Sequence, residues 1–337
     1  MSDVAAVLER EFPGRSVASA TPARRGNTKE TTLVAFADGG GAVVQFAADA
    51  AAFRTELALA RAVRERTSVP TPRVLAAGRL DGRAYAVVER VAGTDLHERF
   101  SRVDDGTRTR LARRFGRFLA ELHEAFAFDS YGRVRVADDE TPPDDHRWFG
   151  DDDEATEFAV TASSRGPSES PERPSESPWS GWFRAYARAG IDALPPAFDG
   201  LRPDIGAALQ AASLPSSPSS RLYPWDLRPG NAVFDGETVA AVLDWGGPLA
   251  AAPGLSVAKT EHLVADWYVE DSESLRVAFR DGYASVRPYP NVRSVYRLVA
   301  VVRSAVDSRG EVTRPRFPEL DGERAVQFHR ERLREWL

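Results

Sequence analysis

In the first third of the chain, apolar positions alternate with polar ones in short runs, interrupted once by a helical spacing. An amphipathic helix over about residues 3–11 leads into TTLVAFADGGGAVVQFA. The alternation there breaks at Asp38-Gly39-Gly40-Gly41 and predicts two antiparallel strands joined by a hairpin. Residues 50–66 switch to helical spacing, with Phe53, Leu57, Ala60 and Val63 on one stripe and Glu56 on the same side. VPTPRVLAAGRLDGRAYAVVERVAG then predicts a proline-marked turn and a second hairpin, turning at Leu80-Asp81-Gly82-Arg83 and ending at Gly93. Strand, strand, helix, strand, strand is an antiparallel sheet carrying one helix.

Beyond Gly93 the spacing becomes helical, so a lobe boundary is expected near residue 92. The clearest helix is 107–126, with Leu111, Phe115, Leu119, Leu122 and Phe126 three or four apart. Residues 138–178 are polar and proline-rich, with an acidic run at 151–154 and PSESP twice, at 167–171 and 174–178. Such a composition buries too little apolar surface to order itself and predicts a flexible insertion. Helical spacing resumes at Trp179, a serine- and proline-rich loop follows at 213–220, and 256–270, 290–307 and 321–337 again read as helices. The expected class is α+β, with residues 1–91 forming a small antiparallel-sheet lobe with one helix and residues 92–337 a larger, mostly helical lobe.

Composition narrows the function. The 337 residues are 42 % hydrophobic, enough for a sizeable core, and the formal net charge is −6. That balance argues against a nucleic-acid partner, which clustered cations would recognise, and favours small-molecule chemistry. Without cysteine, disulfides, zinc–thiolate sites and thiol nucleophiles are excluded. MSDVAAVLEREF has acidic residues where a secretory signal needs a basic start, and no run of about 18 apolar residues follows. A soluble, cytoplasmic protein with no membrane partner is expected. Only two of the 44 cationic residues are lysines, Lys29 and Lys259, so any task requiring a lysine has two candidates.

Two phrases carry candidate chemistry: YPWDLRPGN at 223–231 and VLDWGG at 242–247. AVFDGETVAAVLDW reads as a hairpin turning at Asp235-Gly236, so Asn231 just before it and Asp244 at its end emerge on the same side. Asp226 sits on the preceding loop between Pro224 and Pro229-Gly230. Three oxygen-bearing side chains thus converge on one mouth. Phosphoryl transfer from ATP requires such a set: a carboxylate that orients or deprotonates the acceptor hydroxyl, and hard oxygen ligands for magnesium. Asp226 suits the first task, Asn231 and Asp244 the second.

In these residues the chain resembles the aminoglycoside phosphotransferase and choline-kinase-like family. That family's catalytic loop reads His-Gly-Asp-Leu-His-Pro-Gly-Asn, followed after a hairpin by Ile-Asp-Trp; residues 224–231 and 243–245 stand in those places. VPTPRVL, AVVERVAG and FLAELHE are similar to further family segments: a Val-Pro-x-Pro stretch, the inter-lobe hinge and the helix under the catalytic loop. The resemblance spans most of residues 20–285. It implies a two-lobed protein-kinase-like fold, ATP and Mg2+ as cofactors, and transfer of the γ-phosphoryl group to a small-molecule hydroxyl. It further implies that the backbone of the hinge, from Glu89 to Val91, receives adenine, and that His123 packs or hydrogen-bonds under the catalytic loop.

The chain also departs from that pattern. Pro224 replaces the family histidine two residues before the catalytic aspartate, and Gln45 replaces the third-strand lysine that holds the nucleotide phosphates and pairs with a helix glutamate, here Glu56. Lys29, in RRGNTKETTL where a nucleotide-covering loop is expected, is the candidate replacement, with Arg24 and Arg25 in reserve. The alternative for Lys29 is an exposed loop cation. Ala252 and Ser256 stand where aspartates are common, which weakens the expectation of a cationic acceptor. Two functions follow: an active phosphotransferase, or a non-catalytic kinase-like protein keeping the fold for nucleotide binding or regulation. A protein acceptor is disfavoured because GGPLAAAPGLSVAKTEH contains no activation segment.

Overall fold

A computed structural model describes residues 3–23, 29–137, 147–149, 156–161 and 177–337. Arg24, Arg25, the acidic run at 151–154, the first PSESP and the start of the second lie outside the described residues.

The chain begins with α1 (Asp3–Glu11), whose Val7 and Leu8 are buried, and β1 (Val17–Pro22). β2 (Glu30–Phe36) and β3 (Gly41–Ala47) form the expected hairpin, α2 (Ala50–Arg66) follows, and β4 (Val74–Leu80) and β5 (Arg83–Glu89) complete an antiparallel sheet in the order β1-β2-β3-β5-β4. Asp49 starts α2 by accepting a hydrogen bond from the Ala52 amide, satisfying an otherwise orphaned helix-terminal donor. Alternation assigns the sheet's faces. Val34, Phe36, Val44 and Phe46 cover α1, while Ala77, Ala84 and Ala86 cover Phe53 and Leu57 of α2. The sheet therefore carries both predicted helices, where the sequence pattern places one on it, and has one strand more than the sequence predicts. That strand, VASATP, is exposed at every position and lies at the sheet edge, so no apolar alternation announces it.

The second lobe begins with β6 (Thr94–Asp95), α3 (Leu96–Phe100) and α4 (Asp105–Ala125), the long helix predicted over 107–126. β7 (Ala127–Phe128), β8 (Gly132–Val136) and β9 (Phe158–Thr161) follow. β9 lies within the stretch expected to be flexible, yet it pairs with β8, and Phe158 sets its ring against Phe126. In the same stretch the Trp148 amide donates to the Ala77 carbonyl and its ring meets Phe53 edge-on. Single aromatic anchors thus hold parts of a segment whose average composition is polar.

The end of the second PSESP becomes a helix start: Ser177 caps α5 (Pro178–Ala193), with Pro178 in its first turn. α6 (Arg202–Ala211), β10 (Ser220–Tyr223), the hairpin β11 (Ala232–Phe234) and β12 (Val239–Val242), and β13 (Leu249–Ala251) complete the region around the loop at 224–231. The strands form one sheet in the order β7-β10-β13-β8-β9 and a second in the order β12-β11-β6. α7 (Pro253–Glu261), α8 (Glu273–Ala284), α9 (Ser294–Ser304) and α10 (Gly322–Glu335) close the lobe. α4 and α8 cross with Gly116 facing the Phe279 carbonyl and Gly282 facing that of Arg113, so the two backbones touch. No helix among the described residues is long and apolar enough to cross a membrane.

Candidate active site

The loop at 224–231 leaves β10, which is fixed by pairing with β7 and β13. It re-enters the fold at β11, where Pro229, Ala232 and Phe234 are buried. The turn between β11 and β12 is closed by the Asp235 carboxylate, which accepts from the Glu237 and Thr238 amides at 2.8 Å each. The hairpin brings the two ends together: the Leu243 amide donates to the Asn231 carbonyl at 2.8 Å, so Asp244 stands next to Asn231.

Asn231 also fixes the loop. Its Nδ2 donates to the Asp226 carbonyl at 3.0 Å, leaving Oδ1 free to face a cation. Asp244 is held between exposed Leu243 and buried Trp245, and its φ of 61° is left-handed. A non-glycine residue held there signals a conformation imposed by its surroundings, and such residues concentrate at functional sites. Asn231 thus links the Asp226 backbone to the chain segment that carries Asp244.

The first lobe contributes Lys29. Its Nζ lies 2.5 Å from Glu56 Oε1 and 3.3 Å from Asp244 Oδ1. Strand geometry explains how a residue from the start of β2 replaces one from β3. Thr31 pairs with Gln45 and Gln45 with Ala86, which belongs to the α2 face; two residues earlier, Lys29 projects to that same side. Burial opposes the charge on Lys29, but the two carboxylates outweigh it and its pKa is raised. Glu56 is raised mainly by burial, opposed by Lys29 and reinforced by Asp244. Gly246 allows the close approach: a Cβ there would stand 3.2 Å from Glu56 Oε2. Gln45 is half-buried and makes no hydrogen bond to this group among the described residues. The Glu89 carboxylate accepts from the Arg73 amide at 3.2 Å, the Glu89 amide donates to the Arg73 carbonyl at 2.8 Å, and Val91 is half-buried.

His123 packs in the core, as one of its two expected roles has it, while its hydrogen bonds go elsewhere than the catalytic loop. Its imidazole is held by Tyr283 at 2.7 Å and Ser256 at 3.1 Å, not by the catalytic loop, and burial pushes its pKa down to about 3. Ser256, which stands where the family has an acid, is consumed by that contact.

On the helical-lobe side, Asp226 meets residues that its motif does not mark. Arg228 Nη2 lies 3.3 Å from Oδ2, and Lys259 Nζ of α7 lies 3.9 Å from Oδ1. The Lys259 ammonium also sits 3.6 Å from the centre of the Trp225 ring, a cation–π contact. Its side chain is only 2 % exposed, and burial, reinforced by Arg303 and Arg228 and opposed by Asp226, pulls its pKa down to about 7. Lysine scarcity pointed to Lys259; nothing in the sequence marked Arg303.

The APH family, described as a phosphotransferase enzyme family, matches residues 19–296. Solved structures align along the whole chain. A fructosamine-3-kinase candidate from Thermobifida fusca is 19 % identical, with 99 % of each chain covered and a TM-score of 0.54. APH(2")-IIia, solved with GDP and kanamycin, is 15 % identical over 99 % of this chain and 97 % of that one, with a TM-score of 0.61. APH(4)-Ia, solved with AMP-PNP and hygromycin B, is 15 % identical over 99 % and 98 %, with a TM-score of 0.58. Among curated proteins no significant match is found. With the family matched over most of its length and a two-lobed kinase-like architecture throughout, the chain belongs to the phosphotransferase enzyme family.

Proposed function

We propose that the protein transfers the γ-phosphoryl group of ATP to a hydroxyl of a small molecule. The observation that carries this reading is Lys29, whose ammonium bridges Glu56 and Asp244. A protein that had abandoned catalysis after losing the β3 lysine would have no chemical reason to place another lysine against both the helix glutamate and Asp244. The non-catalytic reading loses its main motive.

The donor set suits magnesium. Asn231 Oδ1 and the Asp244 carboxylate are hard oxygens on adjacent chain segments, and Mg2+ is commonly held by one or two such side chains, with phosphates and water completing the shell. When bound, the metal neutralises charge on the phosphate oxygens. Lys29 adds a fixed positive charge beside them, and the base would lie against the segment 89–91, whose Glu89 and Arg90 amides are already engaged by the Arg73 and Gly41 carbonyls. Asp226 accepts the proton of the acceptor hydroxyl as its oxygen bonds to the γ-phosphorus. The bond from that phosphorus to the bridging oxygen breaks, and ADP leaves with the electron pair. Asn231, by holding the Asp226 backbone, keeps the base in register with the phosphate.

ATP consumption against a panel of sugars, hydroxy acids and amino sugars, for the wild type and Asp226→Asn, tests this. Turnover with at least one acceptor that disappears in Asp226→Asn is expected. Absence of turnover with every acceptor, together with no magnesium-dependent thermal shift from ATP, overturns the reading.

A further inference from the structure

The side of Asp226 that faces the helical lobe is built of cations and aromatic rings. Arg228 and Lys259 approach its two oxygens at 3.3 and 3.9 Å. Arg303 of α9 lies with its guanidinium carbon 5.0 Å from the Trp225 ring centre and 4.6 Å from that of Tyr186. Among the described residues Arg303 has no carboxylate within salt-bridge distance, and its buried Nε has no hydrogen-bond partner. Within salt-bridge distance, Asp226 alone meets Arg228 and Lys259, and Arg303 meets no carboxylate among the described residues. Family sites for cationic acceptors need the opposite excess, and here Ala252 and Ser256, where the family has acids, are buried and uncharged.

These cations do not belong to the nucleotide's half of the site. Lys29, Glu56 and Asp244 form one group on the sheet-lobe side, whereas Lys259 and Arg303 come from α7 and α9 and are arranged around Trp225 and Tyr186. An acceptor must bring its hydroxyl to Asp226, so whatever is attached to that hydroxyl meets this wall. Burying Lys259 against rings without a hydrogen bond is costly, and a buried guanidinium nitrogen without a partner is costly too. An oxyanion placed between them removes both costs.

Building on the phosphotransferase reading above, we propose that the acceptor is an anion: a small hydroxylated carboxylate or phosphate ester. Its charged group binds Lys259 and Arg303, and its carbon skeleton lies against Trp225 and Tyr186. The rings supply an apolar face for the C–H side of a polyol, while the cations select charge.

The test uses the full chain with saturating magnesium and a nonhydrolysable ATP analogue, so that phosphate sites of the nucleotide are filled. Inorganic phosphate, gluconate, glucose and kanamycin are then titrated by thermal shift. Phosphate and gluconate should raise the Tm and glucose and kanamycin should not. Arg303→Gln should weaken the anion effect about tenfold to a hundredfold, the value of one or two charge-assisted hydrogen bonds. Arg303→Lys should restore part of it, and Lys259→Met provides an independent loss on the other cation. No shift from either anion, an equal shift from glucose or kanamycin, or a shift undiminished in both Arg303→Gln and Lys259→Met overturns the inference. If the nucleotide analogue itself gives no magnesium-dependent shift, the phosphotransferase reading is what fails; an anion shift that persists would then be separate from it.

Discussion

Lys29 Nζ rests 2.5 Å from Glu56 Oε1, joining the start of β2 to the middle of α2 across the position that Gln45 leaves uncharged. If this contact replaces the usual strand lysine, Lys29→Ala removes one preorganised charge at the phosphates. Turnover should fall by about 10²–10³. Gln45→Lys in the Lys29→Ala background should recover part of the loss, because residues 29 and 45 lie on the same face of paired strands. Steady-state rates at varied ATP for the three variants decide it; a Lys29→Ala protein indistinguishable from wild type removes Lys29 from the site.

Asp226→Asn keeps the shape of the loop and removes the base. The rate should fall by about 10²–10⁴, the usual worth of a positioned general base, while nucleotide affinity stays close to wild type. Asn231→Ala should lose both, since it releases the Asp226 carbonyl and removes a metal oxygen together. Isothermal titration with a nonhydrolysable ATP analogue separates the two variants. Near wild-type turnover in Asp226→Asn would mean that some other group takes the proton.

Local pattern carried much of this. The hairpins, α2, α4 and the Asp226, Asn231 and Asp244 spacing were legible because alternation, helical stripes and turn residues operate within a few positions of one another. Other features depend on contacts between distant segments. β1 has no apolar face to announce it, and Trp148 and Phe158 are single anchors in a polar stretch. Lys29 could be named as a candidate, but its meeting with Glu56 and Asp244 spans 27 and 215 positions. The cationic wall is harder still: Arg303 lies inside the apolar helix SVYRLVAVVRS and becomes a site residue only because α9 packs beside Trp225.

The α4–α8 crossing should be intolerant of a single methyl group. A Cβ at Gly282 would overlap the Arg113 carbonyl oxygen, and one at Gly116 that of Phe279; neither neighbour is a side chain that can rotate away. Gly282→Ala should therefore destabilise the protein by about 3 kcal/mol despite alanine's better helix propensity. The urea midpoint provides the measurement. A variant as stable as wild type would show that the two helices separate at little cost. Gly206→Ala on α6, where a Cβ meets nothing, serves as the control and should be neutral or stabilising.

Lys259 gives the fold a pH dependence whose sign can be worked out. Burial, with Arg303 and Arg228, pulls its pKa down to about 7 from about 10.5 in the unfolded chain, although Asp226 pulls it upward. Between those values the unfolded state holds the extra proton, so folding stability rises with pH across this window and levels off below about 7. Tyr223 and Tyr186 on the same wall have raised pKa values, chiefly through burial. Lys259→Met retains the apolar stem and removes the proton. The stability gained by Met over Lys should therefore grow as pH falls from about 10 to about 7, by at most about 1.4 kcal/mol per pH unit, and stay constant below. Urea denaturation of the two proteins at half-unit pH steps measures this difference directly. A difference that is flat from about pH 7 to 10 would mean that Lys259 is protonated throughout, with Asp226 compensating its burial in full.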